Sequence, residues 1–112
     1  MLRCGVGSVI SNLTRMVDYH LSAVALADMD DIWDYIAQDS FLEADKMQDR
    51  IFAACSKLAK NPYIGRPRPE LRPELRSFQE KPYVIFYTVE EERITVRRVI
   101  HSSRDIEALF LE

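Results

Sequence analysis

The sequence lacks long apolar runs, a set of paired cysteines and an excess of basic charge. No stretch approaches the roughly 20 apolar residues that a membrane-spanning helix needs, so no membrane association is expected. The two cysteines, Cys4 and Cys55, are too few for a disulfide scaffold and are typical of a protein of the reducing cytoplasm. With 15 basic and 18 acidic residues the net charge is −3, which argues against direct binding of nucleic acid through its phosphates.

The chain has 112 residues, of which 47% are hydrophobic and 29% charged, which is typical of one soluble globular domain. Its first 15 residues carry two arginines and no acid, but glycines interrupt their apolar run. Regular periodicity begins only after Met16, which is itself a candidate initiator. We therefore expect residues 1–15 to be an N-terminal extension, non-native or disordered, and residues 16–112 to be the single domain; a targeting peptide is the alternative.

Two helices are predicted in the first half of the domain, after a short half-buried strand over Val17–Leu21. Ser22 is the expected N-cap of the first helix. Its apolar positions recur at steps of three and four: Leu26, Met29, Ile32, Trp33 and Ile36. The capping box Ser40-Phe41-Leu42-Glu43 predicts the start of the second helix, and Asn61-Pro62 its end. With so short a link, the two should form an antiparallel hairpin.

Several candidate sites on this hairpin have a plain structural interpretation. The first helix carries a run of acids: Asp28, Asp30, Asp31, Asp34 and Asp39. No histidine or cysteine is interleaved with them and the spacing matches no calcium loop, so a solvated face is expected, with Asp28 placed favourably near the positive end of the helix dipole. Cys55 falls in the buried stripe of the second helix with Met47, Ile51, Ala54 and Leu58, and is expected to be an inert small hydrophobe.

The sequence of the second half of the domain predicts mainly strands. Residues 61–73 hold four of the five prolines and Gly65, which excludes a regular element and indicates an ordered connector. Strands follow over 75–78, 83–89 and 94–100, the second of them apolar on both faces and therefore central, and a short C-terminal helix closes the chain. The predicted fold class is α+β: a helical hairpin on one face of a small antiparallel sheet in the order β-α-α-β-β-β, with the other face partly open.

Charge is distributed unevenly along the chain. Residues 1–59 hold five basic and nine acidic residues, a balance of −4, whereas residues 60–104 hold ten and six, a balance of +4. Arginines from the connector and the last hairpin are expected to converge on one edge or face of the sheet, where they would suit carboxylate or phosphate partners. The alternative is that they only neutralise nearby glutamates.

His101 follows the last strand beside Arg98 and Arg104, and could move a proton in phosphodiester cleavage. The plainer interpretation is that it caps the final helix or bonds to Asp105.

Four segments of this sequence together resemble the RelE/ParE superfamily of bacterial toxins, and within it the ParE branch. They are A-L-A-D-M-D-D-I-W-D-Y-I-A, the connector N-P-Y-I-G-R-P-R with L-R-S-F after it, Y-V-I-F-Y, and R-V-I-H-S-S-R-D-I-E-A-L-F. The resemblance covers residues 16–110 and implies the same α+β fold. It also implies a toxin of a type II toxin–antitoxin module that stabilises plasmids, inhibits DNA gyrase and is neutralised by a ParD-like antitoxin in a hetero-oligomer.

The RelE branch of the same superfamily implies another activity, ribosome-dependent cleavage of messenger RNA. This chain departs from that pattern because it is acidic overall and offers no evident second acid or base beside His101. Tyr83 and Tyr87 could be proposed for that role, but their positions predict structural residues of the sheet. A non-enzymatic toxin without metal or cofactor is therefore favoured, and a non-toxic antitoxin-binding remnant is the third alternative. The expected target- or antitoxin-binding residues are Arg66, Arg68, Arg72, Arg76, Arg98, His101 and Arg104; for a ribonuclease they would be His101, Arg76 and Arg98.

Overall fold

A computed structural model describes residues 19–111, so the predicted extension over residues 1–15 lies outside the described part, as do the first two residues of the predicted opening strand. The sheet has five strands in the order β1-β5-β4-β3-β2. Their bounds are β1 Tyr19–Leu21, β2 Arg66–Pro67, β3 Leu75–Glu80, β4 Tyr83–Val89 and β5 Ile94–His101. Strands β3, β4 and β5 form an antiparallel meander, and β4 lies at its centre as predicted.

The helical hairpin consists of α1, Ala23–Ala37, and α2, Phe41–Lys60. The Ser22 hydroxyl accepts the amide hydrogen of Ala25, and the Ser40 hydroxyl accepts that of Glu43, so each helix begins where its N-cap was predicted. Helix α2 ends at Lys60, just before Asn61-Pro62.

The main core lies between this hairpin and the facing side of the sheet. Its fully buried residues include Ile51, Cys55 and Leu58 from α2, and Ile85 and Tyr87 from β4. The helix α1 contributes Ala25, Met29 and Ile32. Leu26 was predicted for this stripe but is half exposed, because steps of four and three from Ala25 select the buried positions and Leu26 lies about 100° further around the helix.

The opposite face of the sheet carries a second, smaller core. The short helix α3, Ile106–Leu111, packs Ile106, Leu109 and Phe110 against Leu75, Val84, Phe86 and Ile100. The rings of Phe86 and Phe110 meet edge to face with centroids 5.0 Å apart. This face of the sheet was predicted to be partly open. The helix α3 covers one part of it, and a groove remains next to α3.

The predicted α+β architecture is confirmed, with two differences in the sheet. Strand β1 pairs in parallel with β5, so the sheet is mixed. The connector, predicted to have no regular element, contains β2, which pairs with Arg76 and Ser77 of β3. Two-residue pairing is possible there because β2 is an edge strand, where the missing amide hydrogen of Pro67 can face outward.

No helix among the described residues is both long and apolar enough to cross a membrane.

Candidate functional site

An open groove of about 760 Å³ lies on the sheet face that carries α3. We call it the open-face groove; it is lined by Ser22, Val24, Arg72, Pro73, Glu74, Leu75, Thr88, Arg97, Arg98, Leu109 and Phe110. The connector, two strands, α3 and the start of α1 therefore meet at one concavity. Its wall combines apolar surface from α3 and β3 with three arginines and the carboxylate of Glu74. Two of the arginines, Arg97 and Arg98, are paired with Glu90 and Asp28, which leaves Arg72 as the charge best placed for an acidic group of a partner.

The connector arginines that approach this face differ in how their charge is matched. Arg68 donates to Glu70 at 2.8 Å and lies over the Phe86 ring, and its hydrogen bond holds the pKa of the Glu70 carboxyl below its usual value. Arg72 lies over the Phe110 ring at 6.0 Å from its centroid. Within residues 19–111 no carboxylate pairs with Arg72, so it presents an unmatched charge to the groove.

A second groove, of about 420 Å³, runs between α1 and the end of β5. We call it the edge groove; it is lined by Asp28, Asp31, Ile32, Tyr35, Tyr83, Arg98, Val99, Ile100, His101, Ser103 and Arg104. The structure thus brings together three of the predicted site residues, Arg98, His101 and Arg104.

Two of the four charged side chains that line the edge groove, Arg98 and Asp28, are paired with each other. Arg98 donates two hydrogen bonds to Asp28, at 2.8 and 3.0 Å, and these raise the pKa of Arg98. His101 Nδ1 accepts the amide hydrogen of Ser103 at 3.1 Å, and its ring meets Tyr83 edge to face. The expected partner Asp105 instead caps α3 by accepting the amide hydrogen of Ala108. The plainer interpretation had His101 capping the last helix or bonding to Asp105. The structure shows neither contact, because the turn after β5 brings the Ser103 amide to the His101 ring.

Arg76 occupies a different place from the other predicted site residues. It donates to the carbonyl oxygens of Gly65 at 2.6 Å and Tyr63 at 3.2 Å, and its guanidinium lies over the Tyr63 ring. Arg76 pairs with Tyr87 across the sheet, whereas His101 pairs with Tyr83 at the other end of β4, about 13 Å away at 3.3 Å per residue. The predicted ribonuclease set is therefore not brought together.

The last predicted site residue, Arg66, is exposed on the edge strand β2, opposite Ser77.

Two residues with organising roles are missed by sequence reasoning. Asp28 was placed on a solvated face, but its carboxylate is mostly buried and also accepts the amide hydrogen of Val99. The Tyr87 hydroxyl donates to the Pro62 carbonyl and accepts the Gly65 amide hydrogen. Both contacts join segments more than 20 residues apart, so no local pattern could have revealed them.

Cys55 lies fully buried in the main core. Burial raises the pKa of the Cys55 thiol to about 12, which agrees with the inert interpretation because the nucleophilic thiolate is then suppressed. Over the part of the chain that the structure describes, no group of three side chains could hold a metal ion.

Comparison with known proteins identifies the family of the chain. Residues 19–106 match the family described as "ParE toxin of type II toxin-antitoxin system, parDE". The toxin ParE1 of Caulobacter vibrioides is 36% identical over 95 residues, which cover 83% of this chain and 97% of the relative. A toxin named RelE2 from the same organism is 39% identical over 80 residues, or 71% of this chain and 89% of that one.

A solved structure supports the fold. A chain of the chromosomal ParDE TA system from P. aeruginosa superposes with a TM-score of 0.64 at 23% identity, covering 78% of this chain and 97% of that one.

Proposed function

Because this chain belongs to the ParE toxin family of type II toxin–antitoxin systems, we propose that it inhibits DNA gyrase and is neutralised by a cognate ParD-like antitoxin. The toxin acts by binding its target protein and carries out no reaction of its own. Its place of action is the cytoplasm, where gyrase and DNA are found. In the alternative of a non-toxic remnant, the chain would still bind the antitoxin but would not inhibit a target.

The observation that carries the antitoxin part of this proposal is the open-face groove. Leu109 and Phe110 of α3 and Leu75 of β3 supply apolar contacts, and Arg72 supplies a charge that no described carboxylate matches. An extended antitoxin segment with apolar anchors and acids fits such a surface, since complementary charge orients the segment and apolar burial holds it.

The edge groove favours binding over ribonuclease chemistry. Its lining holds two arginines and two carboxylates, Asp28 and Asp31, and Arg98 is paired with Asp28, so the groove does not concentrate the positive charge that a scissile phosphate needs. Burial also raises the pKa of the Tyr83 phenol above its usual value near 10, so this side chain does not serve as a base at neutral pH. The Tyr87 hydroxyl is already engaged by the connector.

One observation supports the ribonuclease as a second candidate. Arg98, His101 and Arg104 line a single groove, and one relative carries the name RelE2. In that case His101, whose Nδ1 accepts a backbone hydrogen bond, would act through Nε2.

The experiment that tests the proposal is induction of the chain in bacteria without its antitoxin, followed by measurements of gyrase supercoiling in purified form and of transcript integrity. We expect growth arrest, loss of supercoiling and intact transcripts. Co-expression with the antitoxin, sought in the adjacent reading frame, is expected to restore growth and serves as the control.

Other outcomes have defined meanings. Arrest with normal supercoiling and cut transcripts would reject the gyrase proposal in favour of the ribonuclease, and His101→Ala would then abolish cleavage. Absence of arrest would indicate the non-toxic remnant.

A further inference from the structure

Two large apolar side chains project from the connector soon after the end of α2. Tyr63 is 67% exposed and Ile64 is 48% exposed, and they lie between Lys60, the last residue of α2, and the edge strand β2. We call this pair the connector tip. Single exposed apolar side chains are common on protein surfaces, whereas apolar groups exposed together mark surfaces that contact a partner.

Side chains of the sheet hold the connector tip in place. Arg76 donates to the carbonyl oxygens of Tyr63 at 3.2 Å and of Gly65 at 2.6 Å, and its guanidinium lies 5.0 Å from the centroid of the Tyr63 ring. The Tyr87 hydroxyl bonds to the backbone of Pro62 and of Gly65, on either side of the tip. The backbone of the tip is thus set before any partner binds, which lowers the conformational cost of binding.

Basic residues flank the connector tip on both sides in the chain. Lys60 precedes it and Arg66 follows it, and both are exposed. Within residues 19–111 neither forms an ion pair with a carboxylate, and Glu70, the next acid along the connector, is already paired with Arg68. The tip and its flanks therefore combine two apolar anchors with two positive charges that are available to a partner.

We propose, on the basis of the function proposed above, that the connector tip is the surface by which this toxin binds its protein target. Tyr63 and Ile64 enter an apolar pocket of the target, and Lys60 and Arg66 meet acidic residues at the rim of that pocket. A few apolar anchors in such pockets supply most of the affinity of a protein interface, and charges at the rim steer the encounter. The open-face groove is concave and suits an extended segment instead, so the two surfaces take different partners.

The connector tip and the open-face groove are neighbours. A cleft of about 270 Å³ beside the tip is lined by residues that include Tyr63, Arg76, Pro73, Glu74 and Leu75. The last three of these also line the open-face groove, so the two surfaces meet at Pro73–Leu75. An antitoxin segment in the groove therefore lies next to the tip and excludes a bulky target from it without contacting Tyr63 or Ile64.

The purified full chain, its antitoxin and purified gyrase provide the test. Ile64→Ala is expected to raise the toxin concentration that half-inhibits supercoiling by about tenfold, because it truncates an anchor that lies outside both cores. Arg66→Gln is expected to raise that concentration by about threefold at low salt, since it removes a charge at the rim. Neither variant should change the affinity for the antitoxin or the midpoint of urea unfolding, because both side chains are exposed.

Leu42→Ala and Lys46→Gln are the matched controls, since they remove an exposed apolar side chain and an exposed positive charge from α2. Both are expected to inhibit gyrase as the wild type does. If Ile64→Ala inhibits no more weakly than Leu42→Ala, the connector tip is not the target surface, although the proposed function stands. An equal loss of antitoxin affinity in Ile64→Ala would assign the tip to the antitoxin and would overturn the proposal as well. Failure of the wild type itself to inhibit gyrase would reject the proposed function together with this role of the tip.

Discussion

The hydroxyl of Tyr87 ties the central strand to the connector. Its ring is fully buried, and the hydroxyl donates to the Pro62 carbonyl at 2.7 Å while accepting the Gly65 amide hydrogen at 2.9 Å. Gly65 is needed here because a Cβ would overlap the Tyr87 ring, with Cε1 only 2.7 Å away. The buried Tyr87 side chain therefore fixes the start of the proline-rich connector, on which the position of Arg72 depends.

Tyr87→Phe is expected to lower the free energy of unfolding by about 1–3 kcal/mol. The loss arises because the change leaves a carbonyl and an amide hydrogen without a partner near the core, while the ring still fills its space. Urea unfolding measures it. Tyr63→Phe, on an exposed ring of the same connector, is the control and should change stability by less than about 0.5 kcal/mol. Equal effects of the two changes would show that the buried hydroxyl bonds contribute nothing.

At the scale of elements, α1 protects the edge of β5 where β1 stops. Strand β1 pairs only with Ile94–Val96, so the outer edge of β5 would be unpaired beyond that point. Asp28 accepts the amide hydrogen of Val99 at 2.9 Å and both hydrogen bonds of Arg98. One carboxylate of α1 thereby takes the place of a neighbouring strand and fixes one wall of the edge groove.

Asp28→Ala is expected to destabilise the chain by about 2 kcal/mol, since it leaves a backbone amide and a partly buried guanidinium unpaired. Asp28→Asn should cost less, because an amide oxygen can still accept from Val99. Thermal or urea unfolding of both variants measures this order. Asp31→Ala, on the exposed side of the same helix, is the control, and a cost for Asp28→Ala no larger than that of Asp31→Ala would contradict the role of Asp28 as a substitute for the strand.

At the scale of the whole molecule, local patterns predicted the elements and tertiary contacts decided the site. Ser22 and Ser40 mark helix starts because capping depends on residues three apart, and β4 is recognisable from its continuous apolar run. The arginines could not be placed in this way. The partner of Arg98 lies 70 residues earlier in the chain, so its charge is matched only after the hairpin docks on the sheet.

The folded chain separates its charges into two surfaces. The α1–α2 hairpin carries most of the acids of the first half, and the connector and sheet carry most of the arginines. Ion pairs within the chain match part of the basic side, such as Arg98 with Asp28 and Arg97 with Glu90. Arg72 is left to face the open-face groove, so steering of an acidic partner depends on this side and is hidden by the net charge of −3.

If an acidic antitoxin segment docks in the open-face groove, its association rate should fall as salt rises, because ions screen charges beyond about 8 Å at 0.15 M ionic strength. Arg72→Gln is expected to lower the rate at low salt and to flatten its dependence on salt. Stopped-flow mixing of the toxin with its antitoxin at several salt concentrations measures both effects. Lys46→Gln removes the same charge from the outer side of α2, next to Glu43, and should leave the salt dependence of the wild type. Identical behaviour of the two variants would place the antitoxin away from the open-face groove.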